Sequence, residues 1–308
     1  MSDTPVVRID YRSLPSLGPL YAQALTTRKP GLRGDATVPA IEATANGVSS
    51  DIGRFDAYRR LCACADRDTL PIAWPHILAV PLKIGVVTAR DFPLPLAGLI
   101  HVRHRIVQYM PLALQDNFDL ACRVEGHRDA HNGVEVDLVT TARRDGVTVW
   151  QETMTALRRS GRPSAAGKGK GKGEGEGKGK DGPEVPVGDA PERLRSEIWR
   201  VAEDTGRRYA GVSGDWNPIH VHALLAKPFG FKRAIVHGMW SLARAAAGLV
   251  DLQPAAPVAL EVSFRKPILL PGRVLFSAGP CDGGVGFHVI SVDGRTMHLD
   301  GRMVALTT

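Results

Sequence analysis

Hydrophobic positions at helical spacing stand out in the first third of the chain. Residues 51–65 predict an amphipathic helix capped by Asp51. Its apolar positions recur every three or four residues, at Ile52, Phe55, Tyr58 and Leu61 or Cys62. Residues 76–90 are nearly all apolar and predict a buried helix interrupted near Pro81. The five prolines within residues 1–50 predict an extended arm with one short helix.

Alternation of apolar and polar positions then replaces the helical spacing and predicts an antiparallel meander. The dipeptide Asp145-Gly146 is a strong signal for a tight hairpin turn between two of its strands. The four predicted strands are Leu99–Tyr109, Phe118–Gly126, Gly133–Arg143 and Val147–Leu157.

The C-terminal part of the chain repeats this order. A strand at 193–201 and a short helix at 205–213 come first, and an apolar helix at His237–Val250 follows. A second hairpin signal lies at Asp293-Gly294. The predicted strands of this part are Val258–Lys266, Arg273–Gly279, Val285–Val292 and Thr296–Leu306.

The two parts align at an offset of about 160 positions, which indicates an internal duplication. The segment 99–112 aligns with 259–272, and His76 lies 161 positions before His237. A helix wrapped by an antiparallel sheet, occurring twice, predicts an α+β double-hotdog fold. The second helix suits the central position because it offers few polar faces, its apolar residues being Met239, Leu242, Ala243, Ala246, Ala247 and Leu249.

A tract of alternating glycine and charged residues separates the two repeats. Residues 166–182 cannot bury apolar surface, so we expect a disordered spacer. The predicted division is a non-catalytic N-terminal hotdog unit with its arm (1–160), the linker (161–190) and a catalytic C-terminal unit (191–308).

Composition limits the class of protein. The chain has 308 residues, 44% of them hydrophobic, which is normal for globular cores. No apolar run approaches the roughly 18 residues of a membrane helix, and the first residues do not resemble a signal peptide, so we predict a cytoplasmic protein without membrane insertion. The four cysteines form no CxxC pair and are expected to be reduced and structural.

The net charge of +7 favours anionic partners. Nucleic acid is one such partner, but the sequence contains no recognisable nucleic-acid-binding module, so no nucleic-acid function is predicted. An anionic thioester carrier is the other candidate.

The densest chemistry lies between Tyr209 and Trp240. Asp215 and His220 are five positions apart with Pro218 between them, so the backbone is expected to turn and let both side chains meet one water. A carboxylate beside an imidazole is an acid/base pair able to work near neutral pH. The alternative is structural, with Asp215 as a turn former, Asn217-Pro218 as an ordinary turn and His220 as a core residue.

His237-Gly238 opens the second apolar helix. The first N–H groups of a helix lack intrahelical partners and carry the positive end of the helix dipole. Such donors stabilise an enolate-like oxygen, which is what removal of a proton beside a thioester carbonyl generates. The structural alternative for Gly238 is tight packing of the helix.

The run Ser213–His220, preceded by Tyr209 and followed by His237-Gly238-Met239, resembles the hydratase motif of MaoC-like dehydratases and (R)-specific enoyl-CoA hydratases. The resemblance implies a hotdog fold and reversible interconversion of (R)-3-hydroxyacyl and trans-2-enoyl thioesters, without a metal or redox cofactor. It makes Asp215 and His220 the catalytic pair and the Gly238 N–H the oxyanion donor. The predicted substrate-binding residues are Asn217, which would brace the loop, with His237, Tyr209 and Ser213.

The whole layout resembles single-chain, two-hotdog 3-hydroxyacyl-thioester dehydratases, in which the first half has lost the motif. Arg54 and Arg59 occupy the positions 161 residues before Asp215 and His220, so one active site per chain is expected. The chain departs from several relatives at Ala246, where they carry a hydroxyl.

Other functions remain compatible with these residues. A hotdog thioesterase would share the fold and ligand, and an acyl-thioester-binding module would bind without turnover. A metal enzyme using His220 and His222 is disfavoured because no third ligand is spaced nearby in sequence. The expected partner is an acyl-CoA or acyl-carrier-protein thioester, and a homodimer of the chain is possible. Basic residues near the motif suit either carrier: Arg207, Arg208, Lys227, Lys232 and Arg233.

Overall fold

A computed structural model describes residues 6–32, 37–159 and 194–306. The first half begins with strand β1 (Val7–Tyr11), helix α1 (Leu17–Thr26), strand β2 (Ile41–Ser49) and helix α2 (Ile52–Cys62). The long helix α3 (Trp74–Thr88) follows. Four strands complete this half: β3 (Leu99–Gln108), β4 (Asn117–Ala130), β5 (Gly133–Arg144) and β6 (Val147–Arg159).

The second half starts with strand β7 (Arg195–Val201) and helix α4 (Thr205–Ser213). Two single-turn helices, α5 (Pro218–Val221) and α6 (Ala223–Ala226), lead to helix α7 (Gly238–Gly248). Four strands again complete the half: β8 (Val258–Phe264), β9 (Gly272–Cys281), β10 (Gly284–Ser291) and β11 (Met297–Ala305).

Eleven strands form one sheet in the order β1-β2-β4-β5-β6-β3-β8-β11-β10-β9-β7. The strand order of the first half, read from β2 to β3, is repeated in the second half from β7 to β8. The halves meet through the antiparallel pair β3–β8, in which Arg103 lies opposite Ser263, 160 positions further along the chain. The seam therefore relates the halves by a local twofold axis at the offset seen in the sequence, and the α+β double-hotdog fold is confirmed.

Each half wraps its sheet around one central helix. In α3, residues 74–88 are buried with the sole exception of Ile84. In α7 the buried residues include Met239, Leu242 and Ala246. Small residues allow the sheet to approach, since a Cβ on Gly248 would lie 3.0 Å from the ring of Phe276.

The predicted extended arm at 1–50 is wrong for residues 41–49, which form β2 and carry the sheet across to β1. Its inward positions include Ala43 and Ala45, whose small side chains give a weak strand signal. The helix cap at Asp51 is confirmed, because its carboxylate accepts the N–H of Arg54 at 2.7 Å.

Helix α3 also differs from its prediction, because it runs through Pro81 without interruption. A proline has no N–H to offer the carbonyl four residues earlier. In this helix that carbonyl belongs to Ile77, and Arg54 Nη2 donates to it at 3.3 Å. An external donor thus replaces the missing helical hydrogen bond.

The glycine-rich tract lies outside the described residues, so the predicted linker and domain boundaries stay predictions. All four cysteines are free thiols. Across the three described ranges, none of the helices combines the length and the apolar character that crossing a bilayer requires.

Candidate active site

A left-handed glycine ends helix α4 and turns the chain into the predicted catalytic loop. Gly214 has φ +80° and donates its N–H to the carbonyl of Ala210 at 2.7 Å. Asn217 then caps α5, its side-chain oxygen accepting the N–H of Ile219 at 3.4 Å, with Pro218 as the first helical residue. The expected turn is therefore a loop followed by one helical turn, which carries His220.

The loop brings Asp215, His220 and His237 together. One potential ligand atom from each lies within 4.8 Å of those of the other two. The rings of His220 and His237 are stacked with centroids 3.7 Å apart, and His237 Nε2 lies 3.8 Å from Asp215 Oδ2. The structure thus places the two predicted acid/base residues side by side.

Hydrogen bonds fix the orientation of both imidazoles. His220 Nδ1 donates to the carbonyl of Ile235 at 2.8 Å, which leaves Nε2 to accept a proton. Burial lowers the pKa of His220, although the Asp215 carboxylate and the Ile235 carbonyl partly offset this effect. His220 is therefore a neutral base at neutral pH.

His237 holds the loop rather than completing the acid/base pair. Its Nε2 donates to the backbone carbonyl of Asp215 at 2.9 Å. Burial and the neighbouring His220 lower the pKa of His237 to about 3, so its ring stays neutral.

Asp215 stays ionised at neutral pH in a partly buried position. Burial acts to raise its pKa, but His237, His220 and the Asn217 N–H outweigh this effect, and the pKa is lower than usual. The N–H of Asn217 donates to Oδ1 at 3.1 Å. Since 41% of the Asp215 side chain is accessible, the carboxylate faces open space where a substrate can reach it.

Gly238 is the first residue of α7, with His237 as its N-cap. A Cβ on Gly238 would lie 2.9 Å from Cε1 of Phe264, which is closer than real Cβ atoms approach a ring carbon. The site therefore has the glycine and the helix N-terminus that the sequence predicts, with an aromatic ring closing one side.

Two predicted substrate-binding residues lie behind the loop. Ser213 is buried, and its hydroxyl accepts the N–H of Asp215 at 3.1 Å. Tyr209 is also buried, with its ring 5.0 Å from that of His237. Contact of these residues with substrate stays a prediction. In the structure Ser213 supports the loop through its hydrogen bond to Asp215, and Tyr209 packs against His237.

The donor set suits proton transfer better than metal binding. The structure places two further potential donors, Asp215 and His237, beside His220. His222 does not join them, since its Nδ1 accepts the N–H of Leu224 at 3.2 Å. Because a carbonyl can only accept, the Nε2 of His237 that faces Asp215 bears a proton and has no lone pair for a metal. A metal would have to break that hydrogen bond.

A second polar cluster, which the sequence reasoning does not predict, lies inside the first half. Glu152 on β6 has a fully buried side chain. Its Oε2 accepts a hydrogen bond from His76 Nδ1 at 2.7 Å, and His104 Nε2 lies 2.9 Å from the same oxygen. Lys83 forms an ion pair with its other oxygen. The lysine ammonium therefore occupies the place that a cation would take among these ligands. Only the position of His76, matching that of His237, hints at this cluster in the sequence.

Comparisons with known proteins agree with this geometry. Residues 186–302 match the sequence profile described as MaoC like domain. The 3-hydroxyacyl-thioester dehydratase X of Mycobacterium tuberculosis is 32% identical over 250 residues, covering 80% of this chain and 83% of that protein. A crystal structure of HtdX from Mycobacterium tuberculosis superimposes with a TM-score of 0.70 and 30% identity, over 85% of this chain and 99% of that one. A MaoC-like dehydratase from Phytophthora capsici shares the fold, with a TM-score of 0.68 and 17% identity over 90% and 98% of the two chains.

Proposed function

Because this chain belongs to the MaoC-like dehydratase family, we propose that it interconverts (R)-3-hydroxyacyl and trans-2-enoyl thioesters, with Asp215 and His220 as its acid/base pair. The main support is the meeting of an ionised carboxylate and a neutral imidazole near the start of α7. The thioester class follows the relative named 3-hydroxyacyl-thioester dehydratase X.

In the dehydration direction, one member of the pair takes the proton from C2. The electrons of that bond form the C2=C3 double bond as the C3–O bond breaks, and a proton from the pair goes to the departing hydroxyl, which leaves as water. The C2 proton balances the proton carried away in water, so the pair returns to its starting state. Because both groups start in their basic forms, the proton that reaches the departing hydroxyl is the one that the pair has taken from C2.

The N-terminus of α7 suits the oxygen that gains charge in this step. Removal of the C2 proton moves negative charge onto the thioester oxygen, and the Gly238 N–H is the donor we assign to it. Packing also favours glycine at this position, because any side chain would meet the ring of Phe264.

The test follows the conjugated enoyl thioester by absorbance, with trans-2-enoyl-CoA substrates of graded chain length. We expect Asp215→Asn and His220→Ala each to lower kcat by about 100-fold or more, the usual scale for loss of a general acid or base. His222→Ala and Asp204→Asn serve as matched controls outside the pair and should retain activity. Undiminished turnover in both site variants would refute the assignment, and release of free thiol without hydration would identify a thioesterase.

The same assay distinguishes the carriers. The five basic residues named above are exposed in the structure. Both carriers are anionic, so CoA and carrier-protein thioesters should be compared at low and high salt, which screens such attraction.

A further inference from the structure

We propose that the N-terminal half holds the catalytic loop in place through Tyr21 and Arg54, which act as positioning residues for Asp215. The inference rests on the proposed role of Asp215.

Tyr21 on α1 bonds to the backbone on both sides of Asp215. Its hydroxyl donates to the carbonyl of Gly214 at 3.0 Å and accepts the N–H of Trp216 at 3.3 Å. One side chain thus fixes both peptide groups that flank the carboxylate-bearing residue, although 193 positions separate Tyr21 from Gly214. Burial and the charge of Asp215 raise the pKa of Tyr21, so the phenol keeps the proton that it donates.

The face of α1 that carries Tyr21 is pressed against the loop. Leu17, one helical turn earlier, approaches so closely that a Cβ on Gly214 would lie 2.3 Å from its Cδ1. The other end of this segment is anchored on α3, where Gln23 Nε2 and Lys29 Nζ donate to the carbonyl of Thr88 at 3.2 and 3.1 Å. Helix α1 is therefore a fixed support and not a loose arm.

Arg54 holds the preceding residues from the opposite half. Its guanidinium donates to the carbonyls of Val212 and Ser213, the last residues of α4. These carbonyls belong to the unpaired end of the helix, where a cation is favourable. The same guanidinium reaches Ile77, whose carbonyl is left without a helical donor by Pro81. Arg54 therefore ties α4 to α3, from the position in the first half that matches Asp215 in the second.

The decisive variant is Tyr21→Phe, which removes one hydroxyl and leaves the ring. Tyr11→Phe is its matched control, since Tyr11 lies on β1 with its hydroxyl beside Gly85 of α3. If Tyr21 positions Asp215, Tyr21→Phe should lower kcat about tenfold or more, because small displacements of a reacting group are costly, and leave KM within about twofold. Tyr11→Phe should leave both constants unchanged.

A second readout is the acid limb of the kcat profile. Burial, the two neighbouring histidines and the Asn217 N–H together set the pKa of Asp215, so a displaced loop should shift that limb in Tyr21→Phe. The proposal is overturned if kcat and the acid limb of Tyr21→Phe match those of Tyr11→Phe in an active enzyme. Absence of turnover in the wild-type chain would instead refute the proposed function, which keeps the two failures distinct. Arg54→Lys, which keeps the charge but loses the planar fork, should show the same fall in kcat.

Discussion

Replacing Glu152 by Gln should destabilise the protein strongly. The Glu152 side chain is 0% exposed and its partner Lys83 only 6% exposed. The substitution removes the negative charge and leaves a buried ammonium unpaired, which costs about 3–5 kcal/mol. That loss is a large part of the roughly 5–15 kcal/mol by which domains are stable.

Denaturant unfolding measures this loss of stability. A pH of roughly 7.5 suits the measurement because Glu is ionised there. Glu125→Gln is the matched control, because Glu125 forms an exposed ion pair with Arg123 on β4 and such pairs contribute about 0–1 kcal/mol. The double variant Glu152→Gln with Lys83→Met removes both buried charges and should recover most of the lost stability. If Glu152→Gln unfolds at the same denaturant concentration as Glu125→Gln, the buried-pair reasoning fails.

Two further predictions concern the C-terminal half and the pH dependence of stability. Gly238→Ala should lower kcat/KM and cost about 1–3 kcal/mol of stability, because the added Cβ overpacks against Phe264. Gly211→Ala, on open helix surface, should instead stabilise the protein by about 0.5–1 kcal/mol. Equal melting temperatures of the two variants would contradict the packing argument. The folded protein holds His76 at a pKa of about 4 and His237 at about 3, while the unfolded chain protonates both below about 6.5. Unfolding therefore takes up protons, and stability should fall by up to about 1.4 kcal/mol per histidine per pH unit as the pH drops from about 6.5; denaturation midpoints that are flat between pH 7 and 5 would exclude it.

Local sequence patterns predict most of the helices and strands. The helix cap at Asp51 and the hairpin turn at Asp145-Gly146 have strong sequence signals, because a few neighbouring residues determine each of them. Strand β2 escapes prediction because small alanines occupy two of its buried positions, Ala43 and Ala45. The proposed catalytic motif is likewise local, so its resemblance to the hydratase motif predicts Asp215 and His220.

Contacts between distant segments are what the sequence does not predict. Nothing near Tyr21 indicates that its hydroxyl meets Gly214. Lys83 stands in an apolar helix with no visible partner until β6 places Glu152 beside it. The uninterrupted helix at Pro81 also depends on a donor from outside, Arg54, which no local rule supplies.

The β3–β8 pair joins two halves that both contribute to the site, and each half can accept its own substitutions. In a symmetric pair of identical chains, every substitution occurs twice, so a residue cannot be lost on one side and kept on the other. Here both halves belong to one chain, so the first half can carry Arg54 at the position that matches Asp215 in the second half. The covalent connection also sets a high effective concentration of each half near the other. Dilution therefore does not separate them, and turnover per chain should be independent of enzyme concentration.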